Sequence, residues 1–246
     1  MPSNSQISSK AKINNSVKIG NYCTIYDNVE IKSNSVIEDY CTIGYPSSLS
    51  EGRPLVIGKN SLIRSYSILY EGSVFGDNLT TGHRVTVREK TIAGENFQIG
   101  TLCDIQGHCS IGNYVRLHSN VHIGQKTKIG DFVWIFPYVV LTNDPHPPSD
   151  GFMKGPTILD YAVIATSSCI LPGILIGKHS LIGAGSLVTK DVSDGTVVAG
   201  VPAKYRCMTK DISLRDNCET PAYPWPEHFR RGYPEHILKK WEKGDY

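Results

Sequence analysis

The chain has 246 residues and a formal net charge of +2, from 25 basic and 23 acidic side chains. So even a balance leaves no electrostatic footprint for nucleic acid, while 40% apolar and 20% charged residues suit a chain that buries a core. No apolar run is long enough for a membrane span, the start Met1-Pro2-Ser3-Asn4-Ser5-Gln6 lacks an apolar signal core, and seven cysteines without a CxxC pair favour neither a disulfide framework nor a zinc ribbon, so a reducing cytoplasm is the expected compartment.

From Ile13 onward an isoleucine returns at every sixth position: Ile19, Ile25, Ile31, Ile37 and Ile43. Six matches neither the helical period nor simple strand alternation. It fits a short strand and a tight turn, repeated. Between Ile43 and Ile57 the step is broken by Pro46 to Pro54, so a loop is expected near 46–55. From Ile57 to Leu141 every sixth residue is again apolar, apart from Thr81, with Ala93 the one small member. Glycine often follows the aliphatic residue, as at Gly20, Gly58, Gly76, Gly112 and Gly130. Counting the aliphatic residue as position one, position five is small or β-branched, apart from the bulky Leu79 and Phe97, which fills the corners of a narrow solenoid. Cys23, Cys41, Cys103 and Cys109 fall there and read as buried packing residues. Positions three and four are rich in Asn, Asp, Gly and Lys, which suit turns. A second loop is expected near 143–156, after which Ile158 to Val188 resume the step. Beyond Cys207 the period is lost. Pro234 is placed to start a short helix ending near Trp241, and the tail's aromatic residues are expected to pack on the coils or on a neighbouring subunit. The chain thus divides into a solenoid over 1–206 and an extension over 207–246.

Over roughly residues 11–205 this pattern resembles the hexapeptide-repeat acyltransferases. The resemblance implies an all-β fold, a left-handed parallel β-helix in which three hexads make one 18-residue triangular coil. Residues 18 apart then stack one strand spacing apart, about 4.8 Å. One face carries Thr86 and Arg88, then Asp104 and Gln106, His122 and Gly124, Val140 and Thr142, and runs into the loop residues Asn143, Asp144 and His146. His83 and Glu89 lie in turns near its ends. A second face carries Ile92, Ser110 and Lys128 beside glycines. The third carries Thr80, Gln98, Arg116, His118, Trp134 and Phe136. The polar groups of the first face converge on the second loop, which marks it as the candidate site. The zinc-binding carbonic anhydrases of this fold use histidine spacings that His83, His118 and His122 miss, so no metal is expected.

Near the end of the solenoid, Ala165 and Gly183 share one column. Small residues there would leave backbone groups open to the amides of a pantetheine arm, with Lys190, Lys204 and Arg206 placed to meet phosphates. The stretch Ile182-Gly183-Ala184-Gly185-Ser186, followed by Val198-Ala199-Gly200-Val201-Pro202-Ala203-Lys204, resembles the family's coenzyme A-binding end, which implies acetyl-CoA as the acyl donor. The segments Gly82–Glu89 and Phe136–Asp144 resemble the sugar-nucleotide N-acetyltransferase branch. That branch implies an amino-dideoxy sugar carried on dTDP or UDP, for polysaccharide or glycoconjugate synthesis. Asp104, Glu89 or Asn143 would then orient the amine, with Arg88, Gln106, His122 and Asp144 contacting substrate. In O-acetyltransferase branches a loop histidine serves as base, and His146-Pro147 lies one residue from that place; under this reading His146 or His83 is the base. A scaffold without activity is the third reading. The resemblance further implies a homotrimer with sites between subunits, in whose contacts Trp134 and Phe136 would lie.

Overall fold

The structure is a computed structural model that describes residues 4–149 and 151–246. Met1, Pro2 and Ser3 of the polar start and Asp150 of the second loop lie outside the described residues. Each hexad makes one very short strand, such as Thr86–Val87, Asp104–Ile105 and His122–Ile123. Each strand pairs in parallel with the strand three hexads later, so that Thr86, Asp104, His122 and Val140 stand in one column. Three sheets of 10, 9 and 11 strands result. Face A holds the column just named. Face B holds Ile92–Ala93, Ser110–Ile111 and Lys128–Ile129. Face C holds Thr80–Thr81, Gln98–Ile99, Arg116–Leu117 and Trp134–Ile135. The expected all-β parallel solenoid is therefore present.

Three local causes hold the coil. The aliphatic residues point inward and are buried in one continuous core from Ile25 to Val188. At the corners, position-five hydroxyls and thiols donate to carbonyls of the turns: Ser67 to Arg64, Thr127 to Gly124, and Cys103 to His118 at 2.9 Å. The cysteines are thus packing residues that also satisfy buried carbonyls, and burial pushes the Cys103 and Cys109 thiols up to about 11. Next, glycine follows the aliphatic residue because the neighbouring coil reaches across it. The Asn113 N–H donates to Asp131 Oδ1 at 2.6 Å. A Cβ on Gly112 would lie 2.3 Å from that same oxygen. Substituting Gly112→Ala should therefore displace the carboxylate and cost roughly 1–3 kcal/mol, read as a lower urea midpoint with unchanged m-value.

The turns supply a feature that turn propensity does not anticipate. Residue four of the hexad adopts a left-handed backbone, and the residue there is often bulky: Tyr22, Tyr40, Tyr66, Tyr114, Phe132 and Tyr161 all have positive φ. This conformation is unfavourable for L-residues with a Cβ. Ring stacking up the column offsets it. Tyr22, Tyr40 and Tyr66 stack at 5.0 and 4.9 Å, and Tyr114, Phe132 and Tyr161 at 5.0 and 4.8 Å.

Both loops leave the same edge, between faces A and B. The first lies between Thr42–Tyr45 and Leu55–Ile57, the second between Val140–Leu141 and Thr157–Ile158. The first folds down onto the coils: the Ser47 N–H and Ser50 hydroxyl donate to Glu71, and Glu51 pairs with Lys90 at 2.5 Å. After the antiparallel hairpin Thr196–Ala199 and Lys204–Met208, the tail runs back along the solenoid. Its one α-helix, Glu235–Trp241, has Pro234 at the N-cap, as the sequence predicts. Trp225, Tyr233, Ile237 and Trp241 are buried against the Tyr114–Phe132–Tyr161 ladder, and the Trp241 indole N–H donates to the Tyr161 hydroxyl at 3.1 Å. Trp134 and Phe136 belong to this same cluster. The Trp134 indole N–H donates to the Tyr233 hydroxyl at 3.3 Å. Trp134 packs under the chain's own tail, which presents Phe229 and Trp225 edge-on to it. Among the described residues no helix is long and apolar enough to cross a membrane.

Candidate functional site on face A

The 18-residue register places Asp104 and His122 on adjacent rungs with both side chains outward. His122 Nδ1 lies 3.1 Å from Asp104 Oδ2, and Gln106 Nε2 donates to the same oxygen at 2.5 Å. The His122 hydrogen bond, helped by Gln106 and by the charge of Arg88, holds the Asp104 carboxyl below the usual carboxylate range despite partial burial. An ionised carboxylate only accepts, so Nδ1 carries the proton in neutral His122 and Nε2 keeps its lone pair. The His122 side chain remains 42% exposed, which leaves the ring accessible. A carboxylate fixing the tautomer and orientation of an accessible imidazole is the base-and-orienter arrangement of proton-transfer sites.

The second loop leaves the coil at Asn143, against Gly124, two residues past His122. A Cβ on Gly124 would lie 3.1 Å from both Asn143 Cβ and Cγ. Glycine two residues past His122 therefore makes room for Asn143 to settle one rung down. The Asn143 carbonyl accepts the Lys154 N–H at 2.8 Å and its amide reaches Met153 Sδ at 3.3 Å, closing the loop's base. Asp104, Gln106 and His122 thus come together, with Arg88 one rung below Gln106, while Asn143 rests against Gly124.

The other candidates are placed elsewhere. Glu89 is fully buried, with Arg88 on its carboxylate at 3.0 Å; it turns under the edge from which both loops leave, and no oxygen of it is presented to an acceptor. His83 is exposed at the edge between faces C and A, 4.0 Å from Glu38. Asp144 organises its own loop by accepting the Ser149 hydroxyl and the His146 and Ser149 N–H groups at 3.0 and 2.9 Å; the hydroxyl first, and then the N–H groups, hold its carboxyl below the ordinary range. His146 is exposed on that loop, and its imidazole makes no hydrogen bond among the described residues. The reason is common to these cases: sequence neighbourhood brings a residue near the site, but only the 18-residue column aims it.

At the C-terminal end, Lys190 and Lys204 line one cleft of about 390 Å³ together with Thr189, Thr196 and Tyr205. Arg206 turns away and donates to the Ala199 carbonyl at 3.2 Å. The small residues Ala165 and Gly183 do share a column, but their backbone donors are not open. The Ala165 N–H is bonded to the Ile182 carbonyl and the Gly183 N–H to the Val198 carbonyl, while the Gly183 carbonyl accepts from Ser168 and Ser186. The parallel ladder consumes these groups in every coil. What the two residues provide is a strip of the face without side-chain bulk, beside the exposed Ala184.

A family model described as the GMPPB C-terminal domain matches residues 1–97. The bifunctional protein GlmU of Listeria welshimeri is 31% identical over 185 residues, which cover 72% of this chain and 36% of that protein. The galactoside O-acetyltransferase of Escherichia coli is 33% identical over 124 residues, covering 42% of this chain and 60% of that one. The chain therefore spans less than two thirds of either relative. Among solved structures, the Arabidopsis UDP-N-acetylglucosamine acyltransferase superposes with a TM-score of 0.55 at 18% identity, over 83% of this chain and 73% of that chain. That likeness concerns the fold alone.

Proposed function

Since the chain belongs to the hexapeptide-repeat acyltransferase family, we propose that it transfers an acetyl group from acetyl-CoA to the amino group of a nucleotide-linked amino-dideoxy sugar. The observation that carries the reading is the Asp104–His122 pair on face A, beneath Asn143. The acceptor amine attacks the thioester carbonyl, the C–S bond breaks, and the amide forms. His122 Nε2 takes the proton that the amine must lose and returns it to the departing thiolate, while Asp104 stabilises the imidazolium between the two transfers. Asn143 and Gln106 hold the acceptor. Lys190 and Lys204 meet coenzyme A phosphates in their shared cleft, with the adenosine end beside the hairpin and the pantetheine on the track formed by Ala165, Gly183 and Ala184. The working assembly is a homotrimer, in which a neighbour closes the open side of face A.

A hydroxyl acceptor is the second reading. What favours it is the same pair, because a hydroxyl needs a base more than an amine does. Thiol release from acetyl-CoA, measured with UDP- and dTDP-amino sugars and with their hydroxyl counterparts, separates the two. The amine reading expects stoichiometric thiol release with an amino sugar alone. Turnover confined to the hydroxyl compounds would replace it, and no turnover with either set would leave the scaffold reading.

A further inference from the structure

Two of the corner cysteines stand on neighbouring rungs. Cys23 and Cys41 immediately precede the paired residues Thr24 and Thr42, and both are buried. Adjacent rungs put their Cα atoms about 4.8 Å apart, inside the roughly 4.4–6.8 Å that a disulfide spans. One residue earlier, the rings of Tyr22 and Tyr40 stack at 5.0 Å. Strand pairing on one side and ring stacking on the other therefore hold the two rungs in register. The Cys23 thiol donates to the Glu38 carbonyl at 3.1 Å. That carbonyl belongs to the coil that carries Cys41, so the Cys23 sulfur leans toward its neighbour's rung. The other fully buried cysteines lack this arrangement: Cys103 stands between Val85 and Val121 in its column, and Cys109 between Thr91 and Thr127.

The pair is chemically uneven. The Cys41 thiol holds Cys23 below the ordinary thiol range, against the effect of its burial, while Cys23 and burial push Cys41 up. Burial raises Cys103 and Cys109 instead. The thiolate is the form that reacts, so Cys23 is the member that meets an oxidant and Cys41 the one that closes the bond. Access comes from below. The Cys23 N–H donates to Ser5 Oγ at 2.9 Å, and Ser5 stands on the rung of Gln6–Ile7, the only rung beneath Cys23 among the described residues. Gln6 and Ile7 are both exposed. Opening that one rung uncovers Cys23, and a rung with a neighbour on one side only opens more readily than those between two.

We propose that Cys23 and Cys41 form a redox-active dithiol, which a peroxide converts to a disulfide joining two neighbouring coils. The Cys23 thiolate attacks a peroxide oxygen, the O–O bond breaks, and Cys23 becomes a sulfenic acid while the departing hydroxide takes up the proton that the Cys23 thiol gave up. The Cys41 sulfur then attacks the Cys23 sulfur, the S–O bond breaks, and the hydroxyl leaves as water with the Cys41 proton. Two thiols and one hydrogen peroxide give one disulfide and two waters. The proposal stands apart from acetyl transfer.

The test exposes the full chain to hydrogen peroxide at neutral pH, blocks the remaining thiols, and maps peptides by mass without reduction. It is run on Cys218→Ser, which removes the one exposed thiol. A peptide pair joined through Cys23 and Cys41 should appear, lighter by two hydrogens than the reduced pair, and should form about 10-fold or more faster than Cys103 or Cys109 is oxidised. In Cys41→Ser the cross-link should vanish and Cys23 should be trapped by dimedone as the sulfenic acid. Serine fits this column, since Ser67 is buried one rung above Cys41. Absence of the cross-link at peroxide concentrations that oxidise Cys218 in the wild type, or oxidation of Cys103 and Cys109 as fast as Cys23, overturns the proposal.

Discussion

His122→Ala should lower kcat by about 100- to 10,000-fold while leaving the KM for acetyl-CoA nearly unchanged. The ring lies on the outside of the coil, so its removal leaves no core cavity, and the loss would register in chemistry and not in folding. His146→Ala serves as the contrast. That side chain is exposed and unpartnered among the described residues, so its replacement should change kcat by less than about twofold, well inside the range expected for a residue outside the proton path. Steady-state thiol release at saturating acceptor measures both. A loss of 100-fold or more in His146→Ala with an active His122→Ala would move the base into the loop and return the O-acetyltransferase reading that the sequence held open.

Phe97→Ala should cost about 3–5 kcal/mol of stability, the range for truncating a buried aromatic residue. Phe97 is completely buried, in a corner column between Leu79 and Val115, both also buried. Corner positions elsewhere hold smaller side chains, mostly Ser, Thr, Cys or Val, with Leu79, Ala162 and Ile174 besides, so the coils around Phe97 are spaced to a ring that no neighbour can replace. Each coil touches only the coils above and below, so the damage should spread to neighbouring rungs before the ends are affected. Urea unfolding followed by far-UV circular dichroism reads the midpoint. A shift equivalent to less than about 1 kcal/mol would mean that the corner collapses without a cavity, and that the continuous core is looser than described.

The solenoid was legible because a period of six apolar positions survives two interruptions, and both interruptions proved to be loops. The Thr86–Asp104–His122 column followed from stacking residues 18 apart, once the resemblance supplied the triangular coil. Side-chain roles within that column did not follow. Spacing says that Asp104 and His122 are vertical neighbours; only the structure aims Nδ1 at the carboxylate, and that geometry is the ground for proposing His122 in place of His146 as the base. Glu89 looked available because it stands in a turn, yet it is buried at the edge where both loops emerge, and no local pattern reveals that two loops share an edge. The aromatic ladder at left-handed positions was unreadable for a different reason. Propensity alone puts Asn or Gly at such a backbone, and tyrosine becomes favourable there only when another ring waits one coil away. The docking of the tail depends on the same ladder. Backbone openness at Ala165 and Gly183 failed as a signal because a parallel ladder uses the N–H of small and large residues alike.

The proposed mechanism requires Asp104 and His122 to act as one unit. A double-mutant cycle on kcat/KM with Asp104→Asn, His122→Ala and the combined variant tests it most directly. If the carboxylate works only through the imidazole, Asp104→Asn slows the wild type markedly but adds nothing to His122→Ala, so the double variant is no slower than the histidine variant alone. Losses that multiply in the double variant would show two independent contributions and contradict the account.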